Sequence, residues 1–221
     1  MREIKSNTLI AVFLSLVVPF LTGCPTIPEV NQSFRRVDNM WLSEYRQMEE
    51  TVRTRIVEGS YPEVMAAVEK ALSSIGFAVE VAQIADGKIV GVADEPTPLT
   101  KDEWKTVVRE EKSRVSDVGG WYMQMSEKPV GYKINVRVAV TPTVKGTVIK
   151  LGYEMSHPEY ASMGVNANKA APPTAVRIGS ERFWAALAKE LAAKQQGALR
   201  MRSADEMSAE EIDRSYGDLK K

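Results

Sequence analysis

Few side chains in this chain are equipted to make or break bonds: one cysteine (Cys24), one histidine (His157) and the carboxylates. A thiolate is a nucleophile, an imidazole moves protons near neutrality, and two facing carboxylates act as acid and base. Their spacing offers little of this chemistry. His157 stands before Pro158 in an irregular stretch, and any Ser-His-Asp or Cys-His site would have to be built on that one ring. A metal needs several histidines, cysteines or clustered carboxylates, so no metal is expected. Asp94-Glu95 and Glu110-Glu111 are neighbours in sequence, and neighbours diverge on a strand or helix, so both pairs suit solvent better than a shared proton. Gly119-Gly120 lacks the preceding strand and following lysine of a phosphate loop. No catalytic residue is assigned.

Cys24 has a different context. A basic start carrying Arg2 and Lys5 leads into a 13-residue apolar run, Leu9 to Leu21. That is short of the roughly 20 residues a spanning helix needs, and it has the parts of a secretory signal. Leu21-Thr22-Gly23-Cys24 closes the run and resembles the lipobox of bacterial lipoproteins. The resemblance implies cleavage before Cys24, a diacylglyceryl group on its sulfur and an acyl chain on the new amino group. Those chains are the only prosthetic groups expected. Each buried methylene contributes about 0.8 kcal/mol, and two or more chains hold stably where one does not. Pro25, rather than aspartate, follows the cysteine, which by the same resemblance points to the periplasmic face of the outer membrane. A lone exported cysteine also serves as an intermolecular disulfide partner or a free thiol, but neither explains its place behind the apolar run.

Removing residues 1–23 of 221 leaves 198, enough for one domain with tails. Lysine plus arginine balance aspartate plus glutamate at 29 each, which gives no basic footprint for nucleic acid. One cysteine allows no disulfide framework, so an apolar core must stabilise the fold.

Residues 24–50 read as a lipidated tether, because Pro25, Pro28, Asn31, Gln32 and Ser33 interrupt regular structure. Trp41, Tyr45 and Met48 form a short amphipathic segment at its end. Val52, Thr54 and Ile56 alternate with Arg53 and Arg55, as in an edge strand with charged outer residues. Ser60-Tyr61-Pro62-Glu63 is a capping box opening a helix to Ile75, stopped by Gly76. Phe77 to Val81 and Lys88 to Val92 form a hairpin about Asp86-Gly87. Thr100-Lys101-Asp102-Glu103 caps a second helix, carrying Trp104, Val107 and Val108 on one face and charge from Arg109 to Arg114 on the other. Tyr132 to Val140 and Ile149 to Met155 alternate cleanly as strands with a wet and a dry face. Residues 157–178 read as a long loop, Ser180 as the cap of a last helix bearing Phe183, Leu187 and Leu191, and 198–221 as a charged mobile tail.

The order strand, helix, strand, strand, helix, strand, strand, helix predicts an α+β two-layer sandwich over residues 51–197, with a mainly antiparallel sheet and helices on one face. The capped helix Ser60–Ile75, the Gly76-Phe77 corner, the Asp86-Gly87-Lys88-Ile89 hairpin and the closing Phe183-Trp184 helix resemble the helix-grip domains of periplasmic lipoproteins. That family is typified by the lipoprotein C subunit of the outer-membrane β-barrel assembly machinery, which has two such domains where one is read here. The resemblance implies a non-enzymatic envelope part, held to the membrane by its lipid and docked to a protein partner. Trp121, Tyr122, Met123 and Met125, next to two glycines, are of the types enriched at recognition surfaces and are the candidate partner contact, although the plainer reading is that they cover one end of the core. Two further readings stay open: a carrier or sensor for an apolar ligand, and an envelope hydrolase.

Overall fold

The computed structural model describes residues 25–128, 131–165, 169–194 and 201–203. Its centre is a six-stranded antiparallel sheet in the order β2-β3-β4-β5-β1-β6. The strands are β1 (Thr54–Val57), β2 (Ala78–Gln83), β3 (Lys88–Asp94), β4 (Lys133–Thr143), β5 (Gly146–Ser156) and β6 (Met201–Ser203). The helices are α1 (Ile27–Gln47), α2 (Tyr61–Ser74), α3 (Lys101–Gly119), α4 (Pro158–Ser162) and α5 (Pro173–Lys194). This is an α+β sandwich, as the alternation of elements predicts. No helix among the described residues is long and apolar enough to cross a membrane.

β4 and β5 form the spine, paired without a break from Lys133↔Ser156 to Thr143↔Gly146. Their period of two puts Ile134, Val136, Val138 and Val140 beside Ile149, Leu151, Tyr153 and Met155 on one buried face. Helices α2 and α5 lie on that face and contribute Val64, Val68, Leu72, Phe183, Leu187 and Leu191 to one core. Gly87 turns β2 into β3 at φ 63°, and a Cβ there would come within 2.1 Å of the Val140 carbonyl oxygen. Only glycine fits that corner.

The segment 24–50 is not a tether as far as it is described. Residues 27–47 form α1, whose Phe34, Val37, Trp41 and Tyr45 are buried. Pro28 starts the helix because a proline in the first turn loses no hydrogen bond. Thr26-Ile27-Pro28-Glu29 is the same device as the boxes of α2 and α3, with the Thr26 N–H donating to the Glu29 carboxylate at 2.7 Å. α1 packs against Val115 of α3 and Met123, in a second apolar cluster beside the main core.

Other expectations also shift. A π-helical turn, Glu49–Arg53, precedes β1 and rotates Arg53 inward. The buried guanidinium donates to the carbonyls of Leu151 and Tyr45, each at 3.1 Å, instead of guarding an edge. β1 is itself no edge, because β6 pairs with it at Ile56↔Arg202. β6 falls within the stretch expected to be a mobile tail; residues 204–221 lie outside those described. The 157–178 loop is shorter than expected, since it contains α4 and α5 begins at Pro173. Ser180 is therefore buried mid-helix rather than capping one.

A packed helix and a tether respond differently to truncation. Trp41→Ala is expected to lower unfolding free energy by about 3–5 kcal/mol. Leu42→Ala, on the exposed side of the same turn, should change it by less than about 0.5 kcal/mol, both read from urea denaturation midpoints.

Candidate functional site

Loops converge at the end of the sheet where Lys133 pairs with Ser156. The β3–α3 connection, the stretch after α3, the α4 region and the first half of α1 all meet there. Between them lies a cavity of about 190 Å³, lined by Phe34, Trp41, Trp104, Tyr122, Tyr132 and Tyr160 with Met123, Met125 and Met155. One carboxylate, Glu95, joins this wall and is buried. The Glu95 N–H donates to the Tyr132 carbonyl at 3.0 Å, which extends the β3–β4 pairing beyond Asp94. Burial raises the Tyr132 hydroxyl above its ordinary range, with Tyr160 and Glu95 adding to the effect.

His157 is part of this wall's support. Its Nδ1 accepts from the Tyr160 N–H at 3.3 Å and caps α4. The ring stacks on Tyr160 at 3.8 Å and meets Tyr132 edge-on at 4.9 Å. The imidazole thus caps a helix while wedged between two phenol rings, which holds Tyr160 in place.

The residues expected to meet a partner separate into different roles. Met123 is buried against Val37 and Gly119. Tyr122 shares a 2.7 Å hydrogen bond with Ser33 and donates to the Glu29 carbonyl at 3.4 Å, fastening the loop to α1. Met125 is half-buried between the two smaller apolar clusters. Trp121 alone projects, at 73% exposure. Four neighbouring residues thus supply one protruding ring and three that close the body. Cys24 lies outside the described residues.

Glu111 corrects the expectation that both members of the Glu110-Glu111 pair face solvent. It is 1% exposed. Its carboxylate accepts from Trp41 Nε1 at 3.2 Å, Arg114 Nη1 at 3.1 Å and Thr174 Oγ1 at 3.2 Å. Arg114 also pairs with Glu44 of α1. Glu110 stays half-exposed and accepts from Thr174 at 2.9 Å. The cluster joins α1, α3 and α5. Among the described residues no group of three or more His, Cys, Asp or Glu is placed to hold a metal ion.

Sequence reasoning missed the cavity. Its members come from α1, α3, β5, α4 and the connections between them, and Glu95 reads in sequence as a solvent carboxylate beside Asp94. The only local hint was Pro96 and Pro98, which force the chain off the sheet immediately after Glu95. No protein-family model matches the chain, and no curated protein matches it.

Glu103 ties α3 to α5 and gives the fold an acid-sensitive joint. Arg182 Nη2 donates to both of its carboxylate oxygens at 2.7 Å, and Arg182 Nη1 donates to the Pro98 carbonyl at 2.9 Å. Burial alone would raise this carboxyl, but the Thr100 N–H and hydroxyl together with Arg182 outweigh it and hold it below its ordinary 4.5. A depressed carboxylate contributes stability above its unfolded value and loses it as pH falls through the folded one. The stability gap between the parent and Glu103→Gln should therefore be full at neutral pH. It should close progressively as urea midpoints are measured below pH 4.5.

Proposed function

We propose that the chain is an outer-membrane lipoprotein, acylated at Cys24, whose body serves as a non-catalytic docking part of an envelope complex on the periplasmic side. The observation that carries this reading is Leu21-Thr22-Gly23-Cys24, closing a short apolar run directly ahead of a folded body. The geometry of β2 supports the docking role. It is one of the two outer strands of the sheet, with Val81 exposed and Ile84 exposed in the turn beyond it. An outer strand presents unpaired N–H and C=O groups that a partner's extended segment completes, with side-chain contact adding selectivity. In this reading α2, which packs behind β2 and β3 with Leu72 and Phe77 in the core, acts as the rigid backing for that edge.

The anchor predicts that the parent incorporates palmitate and sediments with outer membranes, and that Cys24→Ala does neither. The edge predicts that a photo-cross-linking residue at 84 captures one envelope protein, whereas the same residue at Val144 does not. Cross-linking at 84 should also fall when Cys24→Ala releases the body. Equal cross-linking at 84 and 144 would end the edge-docking role.

The cavity favours a second reading, a carrier or sensor of a small apolar ligand. Its aromatic and methionine lining is of the kind that takes apolar molecules. Its volume of about 190 Å³ is nearer to the roughly 150 Å³ that admits benzene than to the several hundred of a drug-sized site, so an acyl chain would not fit without expansion. Titration with toluene or indole should then shift the methyl resonances of Met123 and Met125. Unmoved resonances at millimolar probe would remove this reading.

A further inference from the structure

The described chain begins at Pro25, and α1 is under way at Ile27. Only three residue steps separate that first helical residue from Cys24, a reach of about 11 Å at full extension. An acylated Cys24 would therefore hold the body at the bilayer surface, with no slack for it to swing. What the body presents at that end is then decisive.

Three of the large exposed apolar side chains stand in the first turn of α1 or beside residues bonded to its first two turns: Ile27 at 51%, Trp121 at 73% and Met163 at 56% exposure. Hydrogen bonds fix the association. Tyr122, next to Trp121, is bonded to Ser33 and Glu29 of α1. Asn31 Nδ2 of α1 donates to the Gly164 carbonyl at 3.2 Å, which holds the Met163 turn alongside. Glu29, the acidic residue of the first turn, remains exposed and accepts from the Thr26 N–H and hydroxyl at 2.7 and 2.9 Å. Tryptophan with flanking aliphatic side chains is the composition that settles at the boundary between headgroups and acyl chains.

We infer that the lipidated protein is seated on the bilayer through Ile27, Trp121 and Met163, so that the lipid surface is the occupant of this patch. The inference rests on the acylation of Cys24 proposed above. It also sets the orientation. Phe34 of α1 meets Tyr160 at 6.3 Å, beside the sheet end where Lys133 pairs with Ser156. The β4–β5 turn and the turn bearing Ile84 lie at the opposite end, because Lys88 next to that turn pairs with Ala139 and Asp94 with Lys133. An 11-residue strand is about 35 Å long, so Ile84 and Val144 would face the periplasm.

The test uses the full acylated protein in vesicles of phosphatidylethanolamine and phosphatidylglycerol. Cys24 is blocked by its lipid, so Trp121→Cys, Met163→Cys and Val144→Cys each accept one environment-sensitive nitrobenzoxadiazole label. Seating predicts that labels at 121 and 163 emit blue-shifted light and are quenched several-fold by doxyl-lipid, while the label at 144 keeps its aqueous spectrum. Protein that floats with the vesicles but gives the same aqueous spectrum at all three positions overturns the seating and leaves the anchor standing. A label at 121 that shifts only after envelope proteins are added also overturns it, by identifying a protein as the occupant. Failure of the parent to float overturns the acylation reading and this inference with it.

Discussion

The carboxylate of Glu111 imposes the tightest constraint on this fold. An ionisable group removed from water is tolerated only when its lone pairs are engaged, and removing one partner of such a group typically costs about 3–5 kcal/mol. Here the partners come from α1, α3 and α5 through Trp41, Arg114 and Thr174. Trp41 and Thr174 are separated by more than half the chain, yet both must be in place before the charge is satisfied. The outer pair α1–α3 is thereby fixed to the helix that lies on the sheet. Apolar contact among Phe34, Val37 and Val115 supplies area, but it is not directional. The polar cluster supplies the register.

That division between area and register also separates what is legible in the chain from what is not. The alternation in β4 and β5, and the capping boxes of α2 and α3, are local patterns, and they predicted the elements where they stand. α1 carries an equally local box at Thr26-Ile27-Pro28-Glu29. It is obscured because Pro28 reads as a breaker and because Asn31, Gln32 and Ser33 dilute the apolar stripe. Arg53 and Glu111 could not have been placed by local pattern. Their inward orientation depends on acceptors and donors far along the chain, such as the Leu151 carbonyl and Trp41 Nε1. The same holds for the cavity, whose aromatic rings are assembled by topology and not by spacing.

The two ends of the sheet differ in kind. One gathers rings, loops and the first turn of α1 around His157 and Tyr160. The other is built from two short turns, Ile84–Asp86 with Gly87 and the Thr143-to-Gly146 corner. A body with one thick, aromatic end and one thin, turn-built end has a built-in polarity. Exposed apolar side chains stand at both, Trp121 at the first end and Ile84 and Val144 at the second.

β1 has its partners in β5 and β6, through pairs such as Thr54↔Lys150 and Ile56↔Arg202. Contacts this distant in sequence are slow to form, because the intervening chain must close on itself first. A polypeptide made or delivered amino end first therefore leaves β1 waiting until the last strands of the spine emerge.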